Sequence, residues 1–135
     1  VADLQYSMKW EETTGPDRYR RGLYIFLQRT AAYPLLMAFD VPDRTVSCSR
    51  RETSNTPLQP LNLMNDPVFV EAARALAARI EQAPESARVD RAFALCFGRP
   101  PSGRERDAVL SHVVRRGWFG ASRALLNTDE FLTRE

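Results

Sequence analysis

Asp66-Pro67-Val68-Phe69-Val70-Glu71-Ala72-Ala73-Arg74-Ala75-Leu76-Ala77-Ala78-Arg79-Ile80-Glu81 is the stretch whose periodicity decides the fold class. An aspartate before a proline is a strong helix start. The carboxylate can accept from free backbone amides, and a proline at the first helical position gives up no hydrogen bond. Phe69, Ala72, Ala73, Leu76 and Ile80 then fall on one helical face, which predicts a helix running to about Glu81. Downstream, the pattern repeats. Val89, Ala92, Phe93 and Cys96 mark a helix over roughly 85 to 97, with Gly98 able to take a left-handed terminating conformation and Pro100-Pro101 reinforcing the stop. Ser102-Gly103-Arg104-Glu105 is a capping box, and Val109, Leu110, Val113 and Val114 are the expected buried stripe after it. Gly117 is placed to end that helix. Trp118, Ala121, Ala124, Leu125 and Phe131 define a last one.

The connections are only a few residues long, so neighbouring helices are expected to pack antiparallel. The predicted fold is mainly α: a compact antiparallel helical bundle over 61–135, within a single domain, joined to a loop-rich N-terminal part over 1–60. That part is rich in Thr, Ser, Pro, Asp and aromatic residues. It has room for a short strand pair around Lys9-Trp10-Glu11-Glu12-Thr13-Thr14, followed by turn chemistry in Gly15-Pro16-Asp17. From Tyr19 the residues Tyr19, Leu23, Phe26, Leu27 and Thr30 follow helical spacing and predict a helix ending before Pro34, although Leu23, Ile25 and Leu27 also fit strand alternation. The prolines at 42, 57 and 60 predict an irregular excursion over 35–60.

At 135 residues, with 44% hydrophobic and 27% charged residues, the composition is that of an ordinary folded globular protein. Net charge is only +2, and Lys9 is the single lysine among nineteen basic residues. The arginines are interspersed with Asp and Glu rather than gathered into a basic stripe, so nucleic acid is not the expected partner. No run approaches the roughly 18 apolar residues of a membrane span. No charged-then-apolar leader opens the chain at Val1, and an upstream signal or anchor is left open. Cys48 and Cys96 are too few for a disulfide framework, and neither sits in the paired spacing of a zinc site or in a haem-attachment motif. No cofactor is expected in this chain.

Several longer motifs occur in order: Gly15-Pro16-Asp17-Arg18-Tyr19-Arg20-Arg21-Gly22-Leu23-Tyr24, Met37-Ala38-Phe39-Asp40-Val41-Pro42-Asp43-Arg44, Val46-Ser47-Cys48-Ser49-Arg50-Arg51, Thr56-Pro57-Leu58-Gln59-Pro60-Leu61-Asn62-Leu63-Met64-Asn65-Asp66-Pro67, and Leu125-Leu126-Asn127-Thr128-Asp129-Glu130-Phe131-Leu132. Together they resemble the planctomycete-specific domain of unknown function numbered fifteen fifty-three, over essentially the whole chain. The resemblance implies a large exported protein with an upstream cytochrome c module and a second domain of unknown function. It therefore implies a periplasmic or otherwise extracytoplasmic setting. It brings no established reaction, substrate or catalytic residue.

The best candidate binding segment is the polar excursion holding Asp40, Asp43, Arg44, Cys48, Arg50, Arg51, Glu52, Asn55 and Thr56, a density of charge and hydrogen-bonding groups where binding chemistry tends to sit. The competing reading is structural, since an ordered loop needs such side chains to satisfy its own backbone. Arginines flanking Cys48 favour a thiolate, but the one histidine, His112, lies far away in sequence beside an apolar stripe. A Cys48–Cys96 disulfide is an alternative in an exported protein, and buried structural thiols are the bland expectation for both. Asp129 and Glu130 read as the first turn of a short helix capped by Thr128, and Asp40-Val41-Pro42-Asp43 reads as a turn, so neither pair is taken as a metal site. Arg18, Arg20 and Arg21 near Tyr19 and Tyr24 suggest a sugar, phosphate or nucleic-acid contact, against a solvated, ion-paired surface.

The functional expectation is a non-catalytic interaction or scaffold module whose partners are the other domains of the same protein, a c-type cytochrome module among them. The rival is part of an extracytoplasmic enzyme acting on polysaccharide, its active site completed by upstream sequence.

Overall fold

A computed structural model describes residues 13–25, 33–42, 47–50, 54 and 56–133. The chain divides into two compact units, Val1–Thr53 and Ser54–Glu135. Among the described residues the regular structure is helical throughout, with no strand. Of the expected strand pair, residues 9–12 lie outside the described residues, and Thr13 and Thr14 are exposed and irregular.

In the second unit, helix α2 (Leu58–Asn65) precedes α3 (Pro67–Glu81), α4 (Arg88–Cys96), α5 (Gly103–Leu125) and α6 (Asp129–Leu132). Pro60 sits inside α2, in its first turn, where the missing N–H would have had no helical acceptor. α3 starts as its sequence dictates: Asp66 Oδ1 accepts from the Val68 amide at 2.9 Å. Its buried face is narrower than expected. Ala73, Ala77 and Ile80 are buried, at i, i+4 and i+7, while Ala72 is exposed and Phe69 and Leu76 are half-buried. α3 packs mainly against α5, and small buried residues on both helices, Ala73 and Ala77 on one, Ala121 and Ser122 on the other, permit a close approach.

A 3-10 turn, Glu85–Ala87, leads into α4, whose buried side is the expected Val89, Ala92 and Phe93 with Cys96 half-buried beside them. Gly98 closes it at φ +71°, and the amides of Phe97 and Gly98 both reach the Phe93 carbonyl. The capping box of α5 is formed in both directions: the Glu105 amide donates to Ser102 Oγ at 3.4 Å, and the Ser102 amide donates to Glu105 Oε2 at 2.7 Å. Gly117 breaks α5 with φ +68° and ψ 178°, conformations open essentially to glycine alone. Beyond it, Trp118, Ala121 and Leu125 turn into the core, which they share with Ala77, Ile80, Val89, Ala92 and Phe93.

Further expectations for this half are corrected, Ala124 of the last apolar face being exposed. Before Gly117 no residue of α5 is fully buried: Val109 and Val113 are half-buried against the core, whereas Leu110 and Val114, about 100° further round the helix, are exposed, Val114 by 87%. Phe131 is exposed rather than buried. Thr128 holds the N-cap position of α6, yet its hydroxyl donates backwards to the Leu125 carbonyl at 2.8 Å instead of accepting from the helix.

In the first unit the described part of the helix expected from Tyr19, residues 19–25, is not α-helical, and residues 26–32 of that expectation lie outside the described residues. Two 3-10 turns, Pro16–Tyr19 and Gly22–Tyr24, are separated by Arg20 and Arg21 in extended conformation. Gly15 and Gly22 bracket this short segment and weaken any longer helix there. Pro34, expected to follow a helix, begins one: α1 (Pro34–Ala38), closed by Asp40 at φ +54° and by the Val41 amide bonding to the Leu36 carbonyl at 3.1 Å. The excursion expected over 35–60 therefore carries α1 and the start of α2.

Candidate functional site

Of the nine loop residues singled out from sequence, Asp43, Arg44, Arg51, Glu52 and Asn55 lie outside the described residues. Asp40 is half-buried, and its backbone supplies the left-handed turn after α1, a conformation aspartate tolerates better than most. Thr56 is half-buried, and its carbonyl accepts from the Gln59 amide at the entry to α2. Arg50 is exposed. Cys48 is exposed too, not buried as expected, and its thiol donates to the Arg50 carbonyl at 2.9 Å.

Cys96 is likewise a free thiol, half-buried, and burial pushes its pKa up to about 11. It is protonated and poorly nucleophilic at neutral pH. His112 is half-buried on α5. Among the described residues no three His, Cys, Asp or Glu side chains gather as a metal would require.

What the second unit does bring together is a charge cluster centred on Arg99, in the α4–α5 connection. Arg99 Nε and Nη2 grip Glu130 at 2.7 and 2.6 Å, Nη1 and Nη2 grip Glu105 at 3.1 and 2.6 Å, and Nη1 also donates to the Pro100 carbonyl. All five guanidinium N–H groups thus have acceptors. The same guanidinium lies over the rings of Phe93 and Phe97, at 5.4 and 5.7 Å. The Arg99 fork and the Ser102 amide hold the Glu105 carboxyl down at about 2, and Arg99 lowers Glu130 as well. Arg106 pairs with Asp90 at 2.5 Å. Sequence gave Glu105 only a capping role and Arg99 none, since nothing local announces a contact across 31 positions with Glu130. This cluster fastens α6 to the α4–α5 connection, and its groups are saturated.

The first unit presents the opposite situation. Tyr19, Leu23 and Tyr24 are 65%, 77% and 63% exposed, and Met37 on α1 is also largely exposed. Beside them Arg20 Nε donates to Asp17 Oδ1 at 2.6 Å, and its guanidinium lies 6.0 Å from the centre of the Tyr24 ring. Tyr19 and Leu23 have the spacing of one helical face, but the two extended residues between the 3-10 turns interrupt it and both side chains are exposed.

The family model described as Protein of unknown function (DUF1553) matches residues 1–113. The stretch Leu125–Leu132, quoted above among the motifs, lies beyond that match. No curated protein and no solved structure matches the chain.

Proposed function

Because the chain belongs to this family of proteins of unknown function, we propose a more specific reading: a non-catalytic interaction or scaffold module of a larger exported, cytochrome-associated bacterial protein. The observation that supports it most is the exposed face of Tyr19, Leu23 and Tyr24 with Arg20 beside it. Leaving a side chain of that size in water forgoes roughly 1.5–3 kcal/mol of burial. Tyrosine and arginine are also the residues that most often anchor protein interfaces. In the second unit, by contrast, Arg99, Glu105, Glu130, Asp90 and Arg106 are engaged in holding helices together.

The reading places the partner among the other domains of the same polypeptide, with a c-type cytochrome module first. Calorimetric titration of this chain with that module at low salt should give saturable association, weakened about tenfold or more, about 1.4 kcal/mol, by Leu23→Asp. Absence of association would sink the reading. Turnover of a polysaccharide by the full-length protein, unchanged by Leu23→Asp, would favour the enzyme alternative.

A further inference from the structure

Among the described residues Arg99 and Arg20 are arranged alike, and of the two Arg99 alone has every donor used. Arg99 stacks on aromatic rings and takes carboxylates along two edges of its guanidinium, so that all five of its N–H groups are used. Arg20 also lies over an aromatic ring, Tyr24, and is held at Nε by a carboxylate, that of Asp17. Among the described residues its Nη1 and Nη2 groups have no acceptor, and the side chain is 60% exposed. Arg21, next to it, is exposed as well.

We propose that the outer edge of Arg20 is the anchor for a carboxylate of an acidic protein segment whose apolar side chains cover Leu23, Tyr19 and Tyr24. This rests on the interaction-module reading and names its partner's chemistry. A guanidinium offers two parallel N–H groups that match a carboxylate's two oxygens. Asp17 and Tyr24 fix the orientation of that fork in advance, which lowers the ordering cost of binding. The apolar surround favours a protein side chain over a free oxyanion, because a small ion would leave Leu23 as exposed as it is now. A second copy of the same face would set Arg20 and Arg21 against themselves.

The test uses the full chain and two labelled peptides of about ten residues, a length that spans this face when extended. In one, Asp and Glu alternate with Leu and Phe; in the other, Lys replaces the acids. Fluorescence anisotropy should show saturable binding of the acidic peptide only, weakening as salt rises. Arg20→Lys should weaken it about tenfold, because lysine keeps the charge and loses the fork. Asp17→Asn should weaken it less, by releasing the fork's orientation. Circular dichroism should be unchanged, since these side chains are exposed. Equal binding of both peptides, no binding of either, full affinity in Arg20→Lys, or displacement by millimolar sulfate alone would each overturn the proposal. If Arg20→Lys has no effect while Leu23→Asp still abolishes docking of the cytochrome module, the interaction reading survives and only the carboxylate anchor fails.

Discussion

Arg99 shows how far a residue's role depends on partners remote in sequence. Its two carboxylates come from α5 and α6, and both sit below the ordinary glutamate value of 4.5 in the folded state, Glu105 at about 2. A group whose folded pKa is depressed contributes stability above its unfolded value and loses it as pH falls toward the folded one. Melting temperature should therefore decline from about pH 5 toward pH 2, and Arg99→Ala should flatten that decline. An unchanged acid profile in the variant would mean that the cluster contributes nothing. Arg99→Lys keeps the charge but cannot bridge both carboxylates, so amide exchange at Thr128–Leu132 should quicken there too. The cysteines make a second contrast at this scale. Cys48 is exposed, whereas Cys96 is half-buried with its thiol held protonated. Maleimide should label Cys48 in the native protein within the time that Cys96 stays largely unmodified, with mass spectrometry reading each site. Comparable labelling of both would contradict the burial of Cys96.

Among the elements, α3, α4 and α5 together carry the core. Ile80 is fully buried in the cluster with Val89, Phe93, Trp118 and Leu125. Ile80→Ala should cost about 2–5 kcal/mol in chemical denaturation, the usual range for such truncations. Val114→Ala, on the open side of α5, should change stability by less than about 0.5 kcal/mol. The break at Gly117 is the other element-level device. It turns Trp118 inward after a stretch whose core-facing residues, Val109 and Val113, are only half-buried. A methyl group there meets no neighbour, so the cost of Gly117→Ala is conformational, about 1–3 kcal/mol. A variant as stable as the parent would show that the backbone at this position can return to ordinary helix.

At the scale of the whole molecule, the main hydrophobic cluster among the described residues lies within the unit Ser54–Glu135. Residues 54–135 expressed alone should therefore melt cooperatively with helical circular dichroism; a non-cooperative loss of signal would mean that the first unit is needed for the core. Much of this half was legible in the sequence because its signals are local. Asp66-Pro67, the Ser102–Glu105 box, Gly98 and Gly117 act through backbone groups a few residues away, and apolar residues three and four apart declare a helix whatever surrounds it. Around each helix, however, the sequence offers more apolar residues than the neighbours can cover. Packing alone chose Ala77 over Ala72, Val109 and Val113 over Leu110 and Val114, and left Phe131 in water. The candidate binding face was legible least. Tyr19 and Leu23 have helical spacing in the sequence, and the extended backbone at Arg20 and Arg21 leaves them and Tyr24 exposed. The chain by itself thus determined the helical class and most helix ends, since these depend on hydrogen bonds within a turn or two. Tertiary structure decided which apolar side chains are covered and which arginine, Arg99 or Arg20, finds its carboxylates, because burial and ion pairing depend on groups far apart along the chain.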